Sequence, residues 1–418
     1  MRATKESGVE WLTEIPSDWS VRPVWTGWRR VKRTGNPDEE LLSVYRDHGV
    51  IPKSSRDDNF NVESEDLNSY QLVNPGDLVM NKMKAWQGSI ALSSHRGIVS
   101  PAYFVYEPLE AGDAKFHHYL LRSAPYIAEY NRISKGVRVG QWDLDPIHFR
   151  TTPLLVPPVE EQRAIAEFLD RETAQIDNLI AKQEQLIATL GERRTALIRE
   201  SISMGLKSDA ERRWSGVDWL GDIPDHWRAM PLKWCAKLQT GSTPKDEVFS
   251  DNETAPWLRP DDLDETGIPS SATRYFSAQA VAALPPARAG ATLLCGIGAT
   301  LGKVGLVAEK VYFNQQITSV TSKARDKFMF YVLLAAKGEL KALSVGNTLQ
   351  ILNNERLGSL MVPLPPDNEQ DSIVEHLDRQ TGRIDRLVSA SSQAVTLLQE
   401  RRQALISAAV TGKIDVRG

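Results

Sequence analysis

Two cysteines in 418 residues, Cys235 and Cys295, are too few for a disulfide framework or a four-cysteine zinc site. That scarcity points to a reducing cytoplasm. Neither sign of charge is in excess. Fifty Lys and Arg against 54 Asp and Glu leave a net charge of −4, which demands no polyanionic partner overall but leaves room for a local basic face. Long hydrophobic runs are missing. The most apolar stretch, "AGATLLCGIGATLG" (Ala289–Gly302), falls short of the ~18–20 residues of a membrane span and is broken by glycines, so it reads as buried strands and turns. The opening "MRATKESGVEW" lacks the apolar core of a signal peptide. No membrane and no small-molecule substrate are expected.

Catalytic signatures are scarce as well. The seven histidines show no HExxH spacing, and His117 and His118, being adjacent, cannot share a helical face. There is no Gly-x-Ser-x-Gly elbow and no P-loop. "GIGATLG" (Gly296–Gly302) misplaces the third glycine of a dinucleotide fingerprint. "NPGD" (Asn74–Asp77) lacks the second proline and the aromatic that an amino-methyltransferase needs around its target base. "GELK" (Gly338–Lys341) puts a Glu-x-Lys in a predicted helix without the acidic partner of a nuclease. The expectation is a chain with no catalytic site and no metal of its own.

What the chain has is repetition. "GVEWLTEIPSDW" (Gly8–Trp19) returns as "GVDWLGDIPDHW" (Gly216–Trp227), with Pro16 and Pro224 standing 208 positions apart. The same interval separates "PPVEEQ" (Pro157–Gln162) from "PPDNEQ" (Pro365–Gln370), and "ERRTALI" (Glu192–Ile198) from "ERRQALI" (Glu400–Ile406). The chain is two copies of one unit. Each copy divides into a mixed head and a helical part, which predicts boundaries at 1–156, 157–206, 207–364 and 365–418.

The helical parts carry heptads without an internal proline. The expected seam is Ile165, Leu169, Ile176, Leu179, Leu186, Leu190 and Leu197 in the first copy, and Ile373, Leu377, Ile384, Leu387, Leu398 and Leu405 in the second. Glu160–Glu161 and Asp367–Glu369 place negative charge in the first turn of each helix, where the dipole favours it. Each helix is expected to run about 40 residues. One seam of that length leaves an apolar face bare, and the economical partner is the other copy, packed antiparallel in the same chain. A coiled coil serving only to dimerise is the other reading.

The heads diverge. Gly76 and Gly88 can be laid over Gly290 and Gly302 at an interval of 214. These segments read as strands joined by glycine turns. An amphipathic helix follows in each head, Ala114–Ile133 or Lys327–Ser344, and then a polar loop, Ser134–Gln141 or Ser344–Gln350. A frame kept while the heads vary suggests two heads that recognise different things. The opening tryptophans Trp11, Trp19, Trp219 and Trp227 recur in both copies and are assigned to packing.

"GVDWLGDIPDHW…MPLKW", "QTGSTP" (Gln239–Pro244), "PPVEEQRAIAEFLDRETAQIDNLI…ERRTALI" and "LISAAVTGKIDV" (Leu405–Val416) together resemble the specificity subunit of type I restriction–modification systems. "LLSVYRDHGVIP" (Leu41–Pro52) and "GDLVMNKMKAWQGSIALSSHRGIVSPAY" (Gly76–Tyr103) resemble target-recognition domains of that family. The resemblance covers essentially the whole chain. It implies an α+β fold in which two mixed α/β target-recognition domains are separated by two long antiparallel α-helices, an intramolecular coiled coil with internal pseudo-twofold repeat. It further implies binding to double-stranded DNA with a bipartite target, docking of two methyltransferase subunits, and a restriction or translocase subunit in the larger assembly. S-adenosylmethionine and ATP with magnesium would bind those partners, not this chain.

Candidate DNA contacts follow from what each group can donate or accept. In the first head they are Arg29, Arg30, Lys32 and Arg33 beside Trp28; Arg46 and His48; Lys82, Lys84 and Gln87 beside a glycine turn; Arg96; and Lys135 with Arg138. In the second head, Thr240, Ser242, Thr243 and Lys245 would grip phosphate, with Arg259 and Arg274 as further cations. Gln315 and Gln316 have the amides that pair with adenine, but on a regular strand they would face opposite ways. Asn347 and Gln350 belong to the late loop. A coiled-coil adaptor with two protein-binding heads is the rival, kept open by the balanced charge. A self-contained methyltransferase or nuclease is a third reading.

Overall fold

The computed structural model describes every residue except 1, 47, 57–63, 65, 111, 139, 140, 208, 245–253 and 418. Contacts divide the chain into two compact units, Met1–Lys182 with Ala394–Gly418, and Gln183–Gln393. Each unit is a head plus one half of each of two long helices, the 46-residue Val159–Met204 and the 44-residue Asp367–Val410. Among the described residues no helix is long and apolar enough to cross a membrane.

The centre of the first head is an antiparallel sheet of β1 (Trp28–Val31), β2 (Leu78–Asn81), β3 (Ile90–Leu92) and β4 (Tyr103–Pro108), in the order β1-β4-β2-β3. The second head contains β5 (Ala236–Thr240), β6 (Thr292–Cys295), β7 (Val304–Leu306) and β8 (Ile317–Ser322), in the order β5-β8-β6-β7. The order is the same, so two sequences with little in common fold onto one sheet. The aligned glycines explain part of this. Gly76 and Gly290 have φ of 91° and 81°, Gly88 and Gly302 of 92° and 84°, a region side chains avoid. These glycines turn the chain before β2 and β6 and again before β3 and β7.

In each head the strand after the opening phrase pairs with the last strand, Ser20–Pro23 with Pro153–Val156 and Arg228–Pro231 with Met361–Leu364. This brings the repeated opening phrase to the start of a long helix. Trp19 and Trp227 are each 1% exposed, and Trp227 Nε1 donates to Glu369 in the first turn, at 2.8 Å. In the first unit Glu161, the equivalent of Glu369, is taken instead by Arg2 and Arg417. Gln162 and Gln370 close the same turn by donating to the carbonyls of Pro157 and Pro365, each at 2.9 Å. The phrase is a joint.

Both long helices enter the core of each head. In the first unit Ile165, Ala166 and Leu169 share a cluster with Ala409 and Val410. In the second, Ile198 and Ile202 share one with Ile373 and Leu377. Leu169 and Leu377 are fully buried, each contributing about 1.5–3 kcal/mol. Within the first unit Arg402 Nε meets Asp177 at 2.8 Å, and within the second Arg194 Nε meets Asp385 at 3.3 Å. Ascending numbers on one helix thus meet descending numbers on the other in each unit, an antiparallel pairing. The two ion pairs are the same pair 208 positions apart. A second repeated lock ties a head helix to a long helix. Tyr119 donates to Asp170 at 2.8 Å with Lys115 beside it, and Tyr331 and Lys327 both reach Asp378 at 2.7 Å.

Four expectations need correction. Leu179, Leu186 and Leu387 are 47%, 43% and 54% exposed, and their neighbours Ile180, Ile187 and Val388 are the half-buried ones. The heptad counted from Ile165 misses two consecutive four-residue steps, Ile165–Leu169–Thr173, which move that series one residue on. Thr173 and Thr381 hide the shift because they are polar, yet both are buried and donate their hydroxyls to the carbonyls of Leu169 and Leu377. The late helix 114–133 is two helices, Ala114–Leu121 and Ala124–Ile133, divided ahead of Pro125, which has no N–H to continue the ladder. The late helix 327–344 is also two, Asp326–Ala335 and Lys337–Ala342. The loop 134–141 is largely a hairpin, Ser134–Arg138 with Gln141–Leu144.

Candidate nucleic-acid interface

The two heads assemble the same turn cluster where β2 and β6 end. In the first head the amide of Lys82 donates to Ala102 at 3.3 Å and the carbonyl of Lys82 accepts from Leu144 at 3.1 Å. In the second, Gly296 donates to Gln316 and accepts from Leu352, both at 2.8 Å. These are corresponding positions, so the backbone frame is kept while Lys82 becomes Gly296 and Ala102 becomes Gln316.

In the first head Ala85–Gln87 forms a short 3-10 turn with Ala85 buried and Gly88 ending it. Lys84 and Gln87 project from it, exposed. Trp86 donates to Met83 O at 3.2 Å and lies 6.3 Å from Trp142 of the late hairpin. Lys135 is exposed on that hairpin's first strand, and the backbone of Arg138 ends that strand. Arg46 is exposed, with its stem beside Gly88, and His48 lies edge-on to Tyr45. Among the described residues no carboxylate pairs with Lys82, Lys84 or Lys135.

Four of the remaining candidate cations of this head are already engaged. Glu107 binds both Arg29 and Arg33, and Arg33 also reaches Asp77 at 2.6 Å. Hydrogen bonds from Arg29 and then Arg33 hold the Glu107 carboxyl below its usual range. Burial works against the charge of Arg33, but its bonds to Asp77 and Glu107 prevail and raise its pKa. Arg96 pairs with Glu39 at 2.7 Å, and Arg30 lies 4.0 Å over the ring of Phe104. Lys32 is exposed just past β1. Arg29, Arg33 and Arg96 would have to leave a carboxylate to meet a phosphate; at present Arg29 and Arg33 tie the chain at β1 to Glu107 on β4.

In the second head Gly298 N–H donates to Gln350 O at 3.0 Å, which seats the loop bearing exposed Asn347 and Gln350 on the turn after β6. Gln315 and Gln316 occupy a turn before β8, not a regular strand, so the opposite-face expectation does not apply. Thr243 donates to the Gln315 side chain at 2.5 Å, and Ser242 N–H to Phe313 O at 2.9 Å. Asn314 donates its amide to Gln316 at 3.1 Å. Thr240 accepts from Asn354 at 2.8 Å, and Asn354 accepts from Thr318 at 2.9 Å. Thr240, Ser242, Thr243, Gln315 and Gln316 therefore share one neighbourhood. Arg274 is exposed on a three-stranded sheet, and Arg259 buries its Nε without a hydrogen bond among the described residues. Lys245 lies outside the described residues.

Sequence reasoning missed Trp142 and Asn354. Trp142 fell outside the loop expected in the hairpin's place, and the side-chain partners of Asn354, Thr240 and Thr318, lie 114 and 36 positions away. No cluster of His, Cys, Asp or Glu among the described residues has the geometry for a metal ion.

The model of the type I restriction modification DNA specificity domain matches residues 224–396. The chain is 21% identical to a putative type I restriction enzyme MjaX specificity subunit of Methanocaldococcus jannaschii, over 97% of this chain and 96% of that one. It is 23% identical to the MjaVIII specificity subunit of the same organism, over 96% and 94% of the two chains. A chain solved in work on complex assembly and conformational transition of the type I R-M system superposes with a TM-score of 0.73 at 16% identity, over 96% of this chain and 99% of that one, a likeness of fold.

Proposed function

Taking as premise that this chain belongs to the specificity subunits of type I restriction–modification systems, we propose that it reads a bipartite DNA target, one half-site to each head. It is a non-catalytic DNA-recognition subunit. The heads 1–156 and 207–364 act as target-recognition domains. The helical regions 157–206 and 365–418 act as the spacer that fixes half-site separation and as the surface on which two methyltransferase subunits, and a restriction subunit, dock. S-adenosylmethionine and ATP belong to those partners.

The observation that carries this reading is the turn cluster. One backbone frame with the same hydrogen bonds recurs in both heads, and the side chains mounted on it differ. A conserved frame with varied turns is what two readers of unlike half-sites require, since base edges are distinguished by side-chain donors and acceptors. Lys82, Lys84, Gln87 and Lys135 in the first head, and Thr243, Gln315, Asn347 and Gln350 in the second, are the contacts we assign.

Replacing residues 1–156 by the head of another specificity subunit, and sequencing the methylome of the host strain, tests this. One half-site changes while the other half-site and the spacing stay. A change in both half-sites overturns the independence of the heads. Modification with no sequence preference, or DNA affinity indifferent to salt, favours the protein-binding adaptor instead.

A further inference from the structure

Trp142 is 38% exposed at the edge of the turn cluster. One side of it is set by Trp86, at 6.3 Å between ring centroids and 52° between planes. Its cross-strand partner is Gly136, against whose backbone the ring lies, 3.7 Å from where a Cβ would stand. Lys84 is exposed on the turn carrying Trp86, whereas Lys135, opposite Asp143 in the register, belongs to the other face of the hairpin. An apolar plate beside an exposed cation that no described carboxylate pairs with is complementary to a nucleic acid, whose phosphate takes the ammonium group while a base or sugar takes the ring. Charge chooses between occupants here: an apolar protein partner would leave Lys84 facing nothing. At the corresponding position, 208 residues on, the second head carries Gln350, a hydrogen-bonding amide, so this spot differs between the heads.

We propose that Trp142, exposed beside Trp86 and the turn that carries Lys84, is a head-specific apolar DNA contact that packs against a nucleotide of the first head's half-site. This rests on the DNA-reading function above and adds a residue to it. Trp142 contributes through desolvation and ring contact, whereas Lys84 contributes by displacing counterions.

That difference supplies the test, made on the assembled complex with its methyltransferase partners and a duplex bearing both half-sites. Trp142→Ala lowers affinity by roughly 5- to 150-fold, and Trp142→Phe restores most of it. The slope of log affinity against log salt is unchanged in Trp142→Ala, while Lys84→Ala reduces that slope by about 1. Circular dichroism and thermal melting of both tryptophan variants match the parent. Unchanged affinity in Trp142→Ala, or a loss tracking a fall in melting temperature, overturns the proposal. Failure of the parent complex to bind duplex would overturn the DNA-reading function itself, a separate outcome.

Discussion

Lengthening the two long helices together is the most direct probe of the spacer. The repeated ion pairs mark where an insertion is tolerated: between Asp177 and Arg194 on one helix, and between Asp385 and Arg402 on the other. Seven residues placed in both intervals leave each arginine with its aspartate and continue the seam, because seven residues return to nearly the same face, with a drift of about 20°. The added rise is about 10.5 Å, or about 3 base pairs at the roughly 3.4 Å rise of duplex DNA. Over 3 base pairs the duplex also rotates by about 100°, so the longer subunit must twist to keep both heads in register and its affinity falls. Methylome sequencing of a strain carrying the variant with its methyltransferase is the assay. Both half-site sequences are retained and the gap widens by about 3 base pairs. An unchanged gap refutes the spacer, and so does an insertion in one helix alone that leaves stability and spacing intact.

Two further outcomes follow from particular side chains. Ile187→Asp puts a carboxylate at a half-buried seam position and costs about 1–3 kcal/mol, whereas Leu186→Asp, on an exposed neighbour, stays within about 0.5 kcal/mol; equal losses in chemical denaturation would restore the original heptad count. Burial, aided by the nearby Arg122 charge, pushes His118 down to about 4 from an ordinary 6.5. The folded state therefore holds fewer protons than the unfolded chain between those values, so this contribution is present above pH 6.5 and is lost as pH falls toward 4, by at most about 3 kcal/mol. His118→Gln flattens the stability profile in that window; a profile identical to the parent's contradicts the assignment.

The period of 208, the paired glycines and the length of the helices were legible because they depend on local rules: capping, φ above zero and apolar spacing. The side of the helix that packs was half legible. Leu169, Ile176, Leu190 and their equivalents lie on it, but the companion series turned on Thr173, whose hydroxyl bonds back to its own helix and so tolerates burial. Pairings between distant segments were not legible at all. Nothing near Arg33 announces Asp77 or Glu107, which lie 44 and 74 positions away, so the pairing of Arg29 and Arg33 with carboxylates could not be read from the basic run. Trp142 was missed for the same reason: its neighbour Trp86 comes from another turn.

The first unit is closed by the last residues of the chain, for Arg417 and Arg2 meet on the same glutamate and Ala409 and Val410 fill the core around Trp19. The second unit is one continuous stretch, Gln183–Gln393. A ribosome therefore finishes the later-encoded half before the earlier one can be completed. Premature termination near the end strips the N-terminal half of its final brace while leaving every residue of the other half in place.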